Sequence, residues 1–520
     1  MFANRRQPVK ALKISALGTA LLSLGLLGLS SGQPSSSRPA STAPGPILAP
    51  VPALHDLYAG QPLTGWQKKS LMAIARKTWA FFRTDVSATT DLPMDNMGFD
   101  GAPPAGAYTS PTDIAMYLWS IVAATQLHLV TPVEGEALAH KALVAIQALP
   151  KWQGFLFSWY STQTGQAIQN PGEGPITTVN DQFISTVDNG WYASALIVVR
   201  NAFPALWQEA TNLLSAMNFG IFYDNGNEST DITAGQMYGG YYVNQGPATF
   251  EYGNLNTDPR IAAYVGIGMG TLPGNVWWRT WRTLPTDFTW QTQTPVGPTV
   301  TYTDPYSHQT FPVVEGHYTY DGINYVPSWG GSEFEALMAP LVVPEAAWGR
   351  SSFGLNDINY AEASILYAQN ALHYPVWGLS PASVPGLSGG YAAYGAYPLG
   401  SGGTGNAYAN TAVTPYASFL ALPFLPQQSF ANIERLRNDF PTLYGPYGFF
   451  DSVNPVTGQI APRYLALDQG MILAGIDDAL THGGLQRYFA VDPIAQRIKP
   501  YLEMEQFSIT LAPGLTLHNN

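Results

Sequence analysis

The chain has 520 residues, a formal net charge of −12 and only 11% charged residues, with 23 Lys and Arg against 35 Asp and Glu. So few cations in an acidic chain argue against binding nucleic acid, acidic polysaccharide or anionic membrane, and the absence of Cys removes disulfides and thiolate metal sites. Aromatics make up 13%, with 29 Tyr and 14 Trp; this exceeds what the core needs, and aromatic faces are what sugar rings stack on.

The basic start (Arg5, Arg6, Lys10, Lys13) and the apolar run "ISALGTALLSLGLLGLSSG" predict a secretory signal peptide over 1–32. Its removal would take the net charge to about −16, and with no Cys behind it a lipoprotein anchor is excluded. Residues 33–55, "QPSSSRPASTAPGPILAPVP" and its flanks, read as a Pro/Ser-rich linker. The folded domain is expected over 56–510, with no stable membrane insertion after leader removal, in the medium or periplasm.

Helix-periodic segments follow, beginning near 66, 110, 131, 186, 204, 257, 273, 332, 356, 411, 428 and 467, with a last one near 493. Most open on Ser, Thr, Asp or Asn, the ordinary start signal. Those at 110, 186, 257, 332, 411 and 467 are apolar on every face, the pattern of a buried helix, and they alternate with charged, amphipathic ones. Six inner helices wrapped by six outer ones describe an all-α (α/α)6 barrel, or toroid. Its inner helices are parallel, so their N-termini share one end and bring Asp113, Asp188, Asp258, Glu335, Thr414 and Asp468 together. The Thr/Tyr-rich stretch 286–328, with a hairpin signal at Asp321-Gly322, and the Gly loop carrying Tyr391, Tyr394, Tyr397 and Tyr408 are expected to wall that mouth.

The convergent residues can be weighed singly. Ser332 and Glu335 have capping-box spacing, and Glu335 can also serve a substrate; Asp258 could cap its helix or pair with Arg260, or act as a general acid in apolar surroundings. Asp188 beside Trp191 reads as a sugar-hydroxyl acceptor next to a stacking platform. Asp468-Gln469 reads the same way, with a catalytic base as its sharper form. Trp329 and Trp377, in glycine-flanked turns, are expected to stack on sugar, while Asp113 in "SPTD" reads as a cap. The eight His residues show no metal-ligand spacing, and neither a nucleophile elbow nor a phosphate loop occurs, so no metal or cofactor is expected.

"TSPTDIAMYLWSIVAA", "FSWYSTQTGQ", "STVDNGW", "TDPRIAAYVGIGMG", "SWGGSEFEALM", "YPVWGLSPA", "YGPYGFFDSVNP" and "LDQGMILAGIDDAL" occur in this order. Together they resemble the glucoamylase-like domain family, whose relatives include bacterial endo-β-1,2-glucanases and the C-terminal domain of cyclic β-1,2-glucan synthases. The resemblance covers about 108 to 480 and implies an (α/α)6 toroid with a cleft of carboxylates and aromatics acting on β-glucans. The family's acidic position falls on Glu335, where Glu333 replaces a usual Met; Asp258 stands where relatives carry Glu or Asp, and Asp451 where the synthases often carry Glu. The expectation is a monomeric, secreted glycoside hydrolase of a neutral β-glucan, most readily β-1,2-linked. Asp258, Glu335 and Asp468 are its expected catalytic residues, and Asp188, Trp191, Arg260, Trp329, Trp377, Tyr391, Asp451 and Gln469 its expected substrate contacts. The alternatives are a transglycosylase on the same scaffold and a non-catalytic polysaccharide-binding or export accessory.

Overall fold

The computed structural model describes residues 57–97, 107–168, 182–386 and 390–519; the expected signal peptide and linker lie outside the described residues. The helices are α1 (Gly65–Asp85), α2 (Pro111–Gln126), α3 (Pro132–Ala148), α4 (Thr186–Ala202), α5 (Trp207–Ser215), α6 (Arg260–Met269), α7 (Asn275–Arg279) and α8 (Glu333–Leu337). They continue with α9 (Glu345–Trp348), α10 (Phe353–Leu366), α11 (Pro415–Ala421), α12 (Pro426–Asp439), α13 (Ala466–Thr481), α14 (Gln486–Ala490) and α15 (Pro493–Met504). Strands are short and pair in twos and threes.

The apolar segments form the inside. In α2 every residue but Gln126 is buried, and α4 and α13 are nearly as enclosed. α2 packs on α4, α4 on α6, α8 on α11, α11 on α13, and α13 returns to α2. Close approach needs small residues at the crossings: a Cβ on Gly190 of α4 would meet the backbone N of Ala262 in α6 at 2.8 Å. Each inner helix carries an outer one, α1 on α13, α3 on α2, α5 on α4, α10 on α8 and α12 on α11. The outer partner of α6 is α15, from the far end of the chain.

That last pairing departs from the sequence reading, which gave the segment at 273 a full helix. Its bulky residues instead turn inward after one turn and a half: Trp277 and Trp278 are buried against Tyr501 of α15, and Arg282 pairs with Glu505 just beyond it. The expected hairpin is present, Tyr318–Tyr320 against Ile323–Tyr325, with Asp321 (φ 48°) and Gly322 (φ 80°) in the left-handed conformation such a turn requires. A second hairpin pairs Thr299–Thr303 with Thr310–Val314. The fold also runs past the expected end at 510, since Leu517–Asn519 pairs with Leu57–Ala59.

The contact between α6 and α8 rests on Arg260. Its guanidinium donates to Glu345 Oε1 (2.8 Å) and Oε2 (2.9 Å) and to the carbonyls of Thr257 (3.1 Å), Glu335 (3.1 Å) and Ala336 (2.6 Å). Tyr264 donates to Glu345 as well, at 2.6 Å. All five N–H groups are therefore engaged in a buried site. Arg260→Met, which strands Glu345 in the interior, is expected to lower stability by about 3–5 kcal/mol in urea unfolding; a loss below about 1 kcal/mol, the level of an ordinary surface pair, would show that this clamp is dispensable.

Candidate active site at the inner-helix N-termini

α8 begins at a capping box: Ser332 Oγ accepts from the amide of Glu335 (3.2 Å), and Glu335 Oε2 accepts from that of Ser332 (3.3 Å). The same carboxylate accepts from Ser328 Oγ (2.7 Å), the Gly330 amide (3.0 Å) and Tyr408 OH (3.1 Å). Every neighbour is a donor, which is the complement of a carboxylate. The Trp-Gly-Gly turn makes this possible, because a Cβ on Gly330 would lie 2.0 Å from the Tyr408 ring. Only glycine lets that tyrosine reach the carboxylate.

Asp258 behaves differently. The N-cap position of α6 is Pro259, which makes no side-chain cap, and Asp258 stands one residue ahead of it. It stands with Glu335 in the wall of a cavity of about 500 Å³, together with Trp281, Phe288, Trp290, Trp329 and Tyr408. Loss of solvation first, then the charges of Glu335 and Asp188, push its pKa well above the usual carboxylate range. Arg260 lies close enough to oppose this, but its charge is already matched by Glu345.

A second acidic group lies near the first. Asp451 and Asp468 are both buried, and burial followed by the charge of Asp451 pushes Asp468 well up. Burial likewise raises Asp451, to about 6, opposed by Ser383 and Arg463. Two buried like charges that interact in this way disfavour the doubly ionised form. Tyr391 is 52% exposed, and desolvation and the charges of Asp468, Asp451, Asp95 and Asp258 raise its pKa. Tyr391 thus stands within electrostatic reach of both groups. Asp188, which accepts from Thr112 Oγ1, is raised by desolvation, and Asp113 closes a capping box with Ser110.

The structure therefore gathers Asp188, Asp258, Glu335, Trp329, Tyr391, Asp451 and Asp468 at one end. Four expected substrate contacts are corrected. Arg260 has no N–H left for a ligand. Trp191 is 1% exposed and meets Trp119 edge-on at 5.6 Å, so it is core. Trp377 is 2% exposed and its backbone is held at both ends by Asn432. Gln469 is buried and donates to the Phe449 carbonyl (3.0 Å), fixing the strand ahead of Asp451. In each case the neighbours in sequence suggested a mouth position, but the side chain is buried. Tyr408, Phe288 and Trp290 line the cavity; they lie in the glycine loop and the 286–328 stretch expected to wall the mouth, but were not singled out as site residues.

Residues 296–493 match the family model described as "Putative glucoamylase", and residues 73–246 match one described as "Protein of unknown function (DUF3131)". The cyclic beta-(1,2)-glucan synthase NdvB of Rhizobium meliloti (strain 1021) is 22% identical over 576 residues, covering 84% of this chain. Over these residues the chain is similar to glucoamylase-like proteins. It spans only 18% of the length of that synthase. Its fold is that of the endo-beta-1,2-glucanase from Chitinophaga pinensis, solved with sophorotriose and glucose, at a TM-score of 0.63 and 17% identity over 84% of this chain and 98% of the other. A "putative glucoamylase" from Bacteroides fragilis NCTC 9343 superposes as well, at a TM-score of 0.63 and 18% identity over 87% and 99%.

The two tryptophan environments separate by stability. Trp191→Ala is expected to cost about 3–5 kcal/mol in chemical unfolding, whereas Trp329→Ala, at the cavity wall, should stay within about 1 kcal/mol. Equal losses would place Trp329 in the core as well.

Proposed function

We propose that the chain is a glycoside hydrolase of a neutral β-glucan, most readily a β-1,2-linked one, built on an (α/α)6 barrel of inner and outer helices. The observation that carries this is the pairing of Asp258, desolvated and open to an aromatic cavity, with Glu335, fixed among donors in the same wall. Two carboxyl groups in unlike environments are the arrangement that glycoside hydrolysis needs. The linkage is inferred from the β-1,2-glucan proteins named above. Secretion to the medium or periplasm is inferred from the leader pattern of 1–32.

In this reading Asp258 is the general acid. It keeps its proton at a pH where an ordinary Asp, near 3.9, has lost it, and delivers it to the glycosidic oxygen as the bond breaks. Glu335 has two roles: its charge holds the proton on Asp258 in the ground state and faces the positive charge that grows at the anomeric carbon. Asp451 and Asp468, buried and raised in pKa, are suited to taking a proton from the attacking water. Asp188 accepts a sugar hydroxyl, and Trp329 supports a ring face.

Asp258→Asn should lower turnover of the glucan by about 10²–10⁴-fold while sparing a dinitrophenyl glycoside, whose leaving group needs no proton. Wild-type turnover should persist above the usual carboxylate range and fall as pH rises through the raised pKa of Asp258. Equal loss on both substrates, or full activity of Asp258→Asn on glucan, would remove Asp258 as the acid.

A further inference from the structure

Trp290 is 50% exposed at the rim of the cavity that holds Asp258 and Glu335. Single exposed aromatics are ordinary. This one is built in. Its ring stacks on Phe288 (5.6 Å, 18°), Phe288 is held edge-on by Trp281 (5.7 Å, 88°), and Trp290 meets Trp329 at 6.3 Å. The segment around it forms neither helix nor strand, yet side chains pin it on three sides. Gln291 Nε2 donates to the Pro285 carbonyl (2.9 Å), Tyr318 OH to Gln291 Oε1 (2.7 Å), and the Gly403 amide to Thr292 Oγ1 (3.1 Å). Gly403 lets the glycine loop come this close, since a Cβ there would lie 1.9 Å from the Trp290 carbonyl.

We propose that Trp290, supported by Phe288, is a stacking platform for a sugar residue beyond those held at Asp258 and Glu335, and that it sets the preference for longer chains. This rests on the β-glucan reading of the same cavity. A fixed ring with an open surface costs little ordering on binding, and a pyranose offers an apolar face to the ring and a rim of hydroxyls to solvent. The platform is continuous with the carboxylate cavity through Trp329, so its occupant is the same glycan chain. A bound chain long enough to reach it gains a contact that a disaccharide at the carboxylates does not.

Isothermal titration of Asp258→Asn protein with β-1,2-, β-1,3- and β-1,4-linked glucan oligosaccharides, from the disaccharide upward, tests this. Affinity should rise with length in one series, and adding Trp290→Ala should remove about 10-fold of it from the long ligands while leaving the disaccharide unchanged. Trp290→Phe, which retains a stacking face, should recover most of the loss. Equal loss for short and long ligands, no loss, or no saccharide binding at all would overturn the platform. The hydrolase reading is scored separately by product release from the same glucans with wild-type protein: cleavage without length-dependent binding sinks the platform alone, and length-dependent binding through Trp290 in a protein that cleaves none sinks the hydrolase alone.

Discussion

The buried Arg260–Glu345 pair fixes the site. Arg260 lies two positions after Asp258 and donates to the carbonyls of Glu335 and Ala336, so one guanidinium sets the distance between the two carboxyl groups that face the cavity. α8 is only five residues long and gives way to a turn at Ala339–Leu341 that contains Pro340. Its own backbone hydrogen bonds could not hold Glu335 in place. The clamp and the capping box do so together, and the capping box also brings the Trp-Gly-Gly turn and Tyr408 into register with the carboxylate.

The same pair governs the electrostatics. Many carboxyl groups meet at this end of the molecule, and the cation nearest Asp258 is already matched by Glu345. Desolvation and repulsion raise the pKa of Asp258 on one side and of Asp451 and Asp468 on the other. In the proposed function, an available arginine would hold Asp258 ionised and unfit to give up a proton. Neutralising Arg260 inside the protein therefore serves both packing and chemistry.

Much of this was legible in the chain. Helices apolar on every face, as in α2 and α13, announce burial, and start signals such as Ser110 and Ser332 mark where they begin, so the convergence of Asp188, Asp258, Glu335 and Asp468 followed from alternation alone. Direction was not legible. Gln469 is one step from Asp468 yet turns away from it, because one step along a helix rotates a side chain by about 100°, and Trp191, three positions after Asp188, is packed edge-on against Trp119. Arg260 failed for another reason: its partner Glu345 lies 85 positions away, beyond any local pattern. Trp290 and Tyr408 sit in segments without periodicity, where contacts and not sequence decide the orientation.

In the proposed function Asp258 carries a proton because it is desolvated and stands beside the charge of Glu335. Infrared titration of the protonated carboxyl band, taken as wild type minus Asp258→Asn, measures this without reference to activity. The account predicts a band that survives above the usual carboxylate range and moves to lower pH in Glu335→Gln. A band that disappears near the ordinary Asp value of about 3.9, or one unmoved by Glu335→Gln, would contradict it.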